Sequence, residues 1–206
     1  MSSETIMINH ALHKIGGDRI TSRTDGSKNA NIANDIYDEL RDSLLRSHPW
    51  NFATKRQQLA QSATAPSFEF DYAYPLPADW MRTISVHDND AGYGTLLYRE
   101  ELVASQRCIV ASSDSIYLRY VYQVTDANLM AADFRTALVS ALARDMSVPV
   151  AASNTLHDTY ANQHLLDISK AKNTDAQGGF PEMRPRGSWA SSRGGFRTGR
   201  DDFLND

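Results

Sequence analysis

Cysteine is nearly missing from this 206-residue chain: Cys108 stands alone, which excludes an internal disulfide. In the run Cys-Ile-Val-Ala, between Arg107 and Ser112, it reads as a small buried apolar residue rather than a reactive thiol. Long hydrophobic runs are missing too, since none approaches the roughly 18 residues that a membrane helix needs. The opening residues, MSSETIMINHALHK, are polar where a secretory signal would carry a basic region and an apolar core. The chain is therefore expected to be made in a cytoplasm, with no membrane partner. What remains is an ordinary globular composition, 41% hydrophobic and 22% charged. At this length a fold buries roughly 70% of the surface that the unfolded chain exposes.

Catalytic signatures are equally scarce. There is no glycine-rich phosphate loop and no serine-centred nucleophile elbow. The six histidines include His10 and His13 on one predicted helix and His157 and His164 on another. No cysteine pair or helical carboxylate joins them at the spacing of a metal site, so no metal or cofactor is expected. Asp88-Asn89-Asp90-Ala91-Gly92 looks like a calcium loop, but Tyr93 and Arg99 stand where such a loop needs glycine and glutamate. A polar turn between strands explains it better. Glu100-Glu101 and Asp201-Asp202 are adjacent acids that diverge on regular structure, and nothing nearby would raise one pKa. The sequence nominates no catalytic residue.

Charge is present, and it is uneven. Residues 183–200 hold five arginines and no acid, whereas the rest of the chain carries 16 basic and 25 acidic side chains, a net charge of −9. An acidic body with a basic, glycine-rich end points to a tail that binds something.

Periodicity predicts four helices. Ile8, Ala11, Leu12 and Ile15 share one face of a helix over Ser3 to Ile15, which Gly16-Gly17 ends. Ile32, Ile36, Leu40 and Leu44 mark a second helix, from Lys28 to His48, with Ser27 as N-cap and Pro49 as its stop. A third spans Met130 to Ser147, with Phe134, Ala137, Leu138, Ala141, Leu142 and Asp145 along one side and Pro149 as terminator. The fourth spans Ser153 to Ala176, with Leu156, Tyr160, Leu165 and Ile168 as its stripe. The middle reads as strands at Phe52–Leu59, Phe68–Tyr74, Met81–Val86, Thr95–Tyr98, Arg107–Ala111 and Ser115–Tyr122, separated by turn-rich spacers.

The expected fold class is α+β. A four-helix bundle, residues 1–49 and 125–177, carries an inserted antiparallel β region, residues 50–124. An extended tail, residues 178–206, follows. Pro49, Trp50, Phe52 and Arg56 form the junction between bundle and sheet: proline releases the chain, the two aromatics plug the seam, and Arg56 opens the exposed face of the first strand. In the tail, Phe180, Trp189, Phe196 and Phe203 alternate with Arg184, Arg186, Arg193, Arg197 and Arg200. Such a segment cannot bury enough surface alone to offset its ordering entropy. Its aromatics and arginines are the residue types that anchor interfaces, so it is expected to order on a partner.

Three stretches carry a resemblance: INHALHKIG, then ITSRTDGSKNANIANDIYDELRDSLLRSHPWNFATKRQQLA, then FDYAYPLPADWMR. They resemble the head-to-tail adaptor proteins of tailed bacteriophages, and within them the tail tubular protein A family of short-tailed phages. The likeness covers Ile8 to Arg82 well and the two later helices in layout only. It implies a structural virion protein that forms a ring, typically dodecameric, under the portal protein at the head–tail interface. Such a ring extends the DNA channel, lets DNA pass without sequence-specific binding, and docks the next tail component, a nozzle or tail-tube protein. The C-terminal segment of such proteins commonly reaches onto the portal. Two other classes stay open: a single-stranded nucleic-acid-binding module that uses the arginine–aromatic tail, and a cell-wall hydrolase.

Overall fold

Ser3 opens the first helix, its side chain accepting the Ile6 N–H, and α1 runs Glu4–Ile15. The computed structural model describes residues 3–92 and 96–178. Two glycines end α1 for different reasons. Gly16 takes the left-handed conformation, φ 75°, that a C-terminal cap requires. Gly17 sits so close to Val150 and Leu12 that an added Cβ would lie 2.9 and 3.0 Å from them. Buried Asn9 then pins the following loop: its side chain exchanges two hydrogen bonds with the backbone of Ile20, at 2.8 and 2.9 Å.

Ser27 caps α2 (Lys28–Arg46) by accepting the Ala30 N–H. The helix stops at Arg46, two residues short of the expected His48. Ser47 serves as its C-cap, and His48 already lies outside the helix, where the following proline excludes helical backbone. A single 3-10 turn, Asn51–Ala53, follows. Phe52 therefore belongs to that turn and not to a strand, and β1 begins at Thr54 (Thr54–Leu59).

The β region makes two three-stranded antiparallel sheets. One has the order β1–β6–β3, with β3 at Trp80–His87 and β6 at Ile116–Tyr122. The other has the order β2–β5–β4, with β2 at Tyr72–Pro75, β4 at Tyr98–Val103 and β5 at Gln106–Ala111. Two strand expectations need correction. Phe68 is 81% exposed and precedes β2, in a stretch that turns through Glu69 at φ 72°. The fourth strand begins at Tyr98, not before it. It reads Tyr-Arg-Glu-Glu-Leu-Val, charged and solvated as an edge strand tolerates, so no apolar alternation marks it. Leu59, Tyr74, Val86, Ile109, Ile116, Leu118 and Tyr120, drawn from both sheets, share one small core. Cys108 is buried, and burial pushes its thiol pKa up.

α3 (Ala132–Ala151) is the central helix, packed on α1, α2 and α4 (Asn154–Gln177). It is buried nearly all round, through Phe134, Ala137, Leu138, Ala141, Leu142, Ala143 and Met146. Buried Ser140 and Ser147 return their hydroxyls to the helix's own carbonyls. Pro149 does not end α3. It lies in the last turn, where it forfeits only one backbone hydrogen bond, and the helix closes at Ala152 with φ 49°. Asp145 leaves the apolar side and pairs with Arg144. On α4 the inward residues are Leu156, Tyr160, His164, Ile168 and Ala171. Leu165 is 64% exposed and does not belong to that stripe. The fold is thus mixed α+β, with four helices and two small antiparallel sheets among the described residues.

Candidate functional site

The chain leaves α2 at the sequence Ser47-His48-Pro49-Trp50-Asn51-Phe52, and this junction collects groups from three layers. Trp50 is 1% exposed. Its indole N–H donates to the Leu44 carbonyl at 3.0 Å, satisfying a helix-end acceptor. Its ring meets Phe134 of α3 edge-on, centroids 5.2 Å apart, and Phe52 meets the same phenylalanine at 5.1 Å. Met81 and Val121 of the β1–β6–β3 sheet join the same core. Trp50 and Phe52 therefore sit where helices and sheet meet. Pro49 is half-buried, and Arg56, two residues into β1, is exposed.

The backbone on either side is tied down. Arg46 donates to the Met81 carbonyl at 2.6 Å, and Arg82 returns a bond to the Arg46 carbonyl at 3.0 Å. Asp79, in the Tyr-Pro-Leu-Pro-Ala-Asp turn, accepts from Lys55 at 2.6 Å and from the Tyr120 hydroxyl at 3.1 Å. Burial, together with that second bond, pushes the Tyr120 pKa up to about 12.

A residue that the sequence did not nominate completes the junction. Asp175, in the last turn of α4, accepts the Asn51 N–H at 3.1 and 3.2 Å and pairs with His48 Nε2 at 3.2 Å. The Asn51 amide in turn donates to the Asp175 carbonyl at 2.6 Å. Burial lowers the His48 pKa and outweighs the opposing pull of Asp175. The lowered pKa favours the neutral form of the His48 ring at this contact. A separation of 127 residues explains why no local pattern announced it. Three residues later, at Gly178, the chain enters the arginine–aromatic segment.

Phe180, Arg184, Arg186, Trp189, Arg193, Phe196, Arg197, Arg200 and Phe203 all lie outside the described residues. Among the described residues no group of three or more His, Cys, Asp or Glu converges as a metal site. His10 and His13 lie on α1, and His164 faces the Ala137 carbonyl at 3.0 Å with a pKa lowered by burial. No described helix is long and apolar enough to cross a membrane. No protein-family model matches the chain, and no curated protein matches it.

Proposed function

We propose that this chain is a structural virion protein, a head-to-tail adaptor similar to the tail tubular protein A family, and not an enzyme. Its copies form a ring, dodecameric by that analogy, beneath the portal protein. The ring extends the DNA channel and presents a surface to the next tail component. The four helices act as a bundle that builds the ring wall, and the sheets project from it. Residues 178–206 dock on the portal through their arginines and aromatic rings. The body is net acidic, so DNA passes without being gripped, because phosphate affinity comes from Lys and Arg. The protein is made in the host cytoplasm and works in the particle.

One observation carries this reading. Asp175 clamps the end of α4 to His48 and Asn51, beside the motif on which the resemblance rests, so the basic segment departs from a fixed point. From that root residues 179–206 span at most about 100 Å when extended, enough to wrap a neighbouring subunit.

Assembly is the test. Full-length chain and a chain ending at Gly178 are each mixed with the portal ring of the same virus and weighed by native mass spectrometry. Full-length chain is expected to add a ring of copies, and the shortened chain is expected to stay folded and unbound. Equal binding by both removes the segment from the account. Salt-sensitive binding of single-stranded DNA by the full chain, with no portal binding, favours a nucleic-acid module instead.

A further inference from the structure

A groove of about 460 Å³ runs between α1 and the first turns of α3. Its apolar floor is Ile6, Met7 and Val139, and Ile6 stays 40% exposed there. His10, His13 and Lys14 of α1 and Arg135 of α3 line the rest. No carboxylate lines it, although the chain outside residues 183–200 carries 25 acids against 16 bases. Helical spacing explains the set. Ile6, His10, His13 and Lys14 follow one flank of α1, beside the stripe of Ile8, Ala11, Leu12 and Ile15 that enters the core. Both cations are held by uncharged partners. Arg135 donates to the Ala127 and Met130 carbonyls at 3.2 and 2.8 Å, and Lys14 stands 5.7 Å over the Tyr160 ring. These contacts place the two charges without neutralising them, and neither has an ion pair among the described residues.

A groove between two helices suits a third helix, here one that is apolar on one line and acidic beside it. α2 is such a helix. Its Asp38 and Asp42 are held by Arg23 and Arg41. Asp35 and Glu39, one turn apart and exposed, have no ion pair among the described residues. Ile32 and Ile36, beside them and also one turn apart, are only half-buried. The groove and the end of α2 lie on different sides of α3. Phe134 faces the junction where α2 ends, and Thr136 and Val139 of the groove point roughly 150° away around the helix. Residues 183–200, with five arginines and no acid, are the wrong sign for this groove.

We propose that the α1–α3 groove of one copy seats the Ile32–Glu39 face of α2 from the next copy. The two isoleucines cover the apolar floor, and the two carboxylates take Lys14, Arg135 and the imidazoles as partners. Two different patches that fit each other make a heterologous contact, the kind that closes into a ring. This interface rests on the ring proposed above. A DNA phosphate is the rival occupant. It would leave the apolar floor open to water, and the acidic body repels a polyanion at long range.

Charge reversal decides the matter. Full-length chain is followed by sedimentation equilibrium up to millimolar concentration, and by native mass spectrometry on the portal ring. The variants are His10→Glu with Lys14→Glu, and Asp35→Lys with Glu39→Lys, all at exposed positions. Each pair is expected to lower copy–copy association by at least ~10-fold, because like charges then face each other. Mixing the two restores it, since each variant meets a complementary face on the other. Lys14→Glu and Glu39→Lys alone give the same direction if a double variant disturbs folding, which circular dichroism reports. Rings that form equally well with the reversals, or variants that do not recover on mixing, overturn this interface and leave the ring standing. A wild-type chain that never self-associates, free or on the portal, defeats the ring and the interface together. Wild-type binding of a short DNA duplex that Lys14→Glu abolishes assigns the groove to phosphate and overturns the interface.

Discussion

The helices and the sheets of this chain use their side chains in opposite ways. Around α3 the apolar residues of α1, α2 and the junction form one continuous core, and the polar groups inside it are mostly returned to nearby backbone, as Asn9, Trp50, Ser140 and Ser147 illustrate. The sheets share a smaller core of eight buried residues, and on the outer face of β1–β6–β3 the exposed Arg56 stands opposite the half-buried Arg119. Stability is concentrated in the first region.

That contrast can be broken most severely at its seam. Trp50→Ala removes the ring that joins α2, α3 and the sheet, and with it one of the hydrogen bonds to the Leu44 carbonyl; a loss of about 3–5 kcal/mol is expected in urea unfolding. A loss under about 1 kcal/mol would mean that the junction is not a keystone. Asp175→Ala should cost about 2 kcal/mol and free the end of α4, seen as faster hydrogen exchange at Asn51 and in the last turn.

The next effect is on pH dependence. Burial lowers the folded-state pKa of both His48 and His164 below the ordinary 6.5. The unfolded chain then takes up protons first, so stability holds above pH 6.5 and falls as pH drops below it. Replacing His164 with Gln should flatten part of that fall, read from unfolding midpoints between pH 7.5 and about 5. An unchanged profile would place the loss in other groups.

The smallest change sharpens the β side. Ala104 and Ser105 form a two-residue hairpin turn between β4 and β5, both at positive φ, 48° and 68°, where glycine or asparagine is preferred. Ser105→Gly should therefore stabilise by up to about 1 kcal/mol in the same urea assay. Destabilisation there would argue against the turn geometry.

The same contrast governs what the sequence disclosed. α1 and α2 were legible because their apolar residues recur at helical spacing and their ends carry Ser, Gly-Gly and Pro. β5 and β6 were legible as apolar or alternating runs. β4 was misjudged because an edge strand tolerates a charged, solvated centre, here Arg99-Glu100-Glu101. Pro149 misled because a proline in the last turn of a helix sacrifices so little. Leu165 misled because it is apolar, although the four-residue spacing from Leu156 and Tyr160 leads to His164, the residue that faces α3. The junction aromatics could be read from His-Pro-Trp-Asn-Phe, but not their partner Asp175, which only the tertiary fold brings across the molecule. The opposed arginines needed strand register, which no one-dimensional pattern supplies.

Hydrogen exchange of the full-length chain, alone and then assembled on its portal ring, tests the central claim most directly. Strong new protection is expected in residues 183–203, while the α3 core stays as it was. Assembly that leaves the C-terminal segment exchanging as fast as in the free chain would contradict a protein that works by gripping its neighbour with that end.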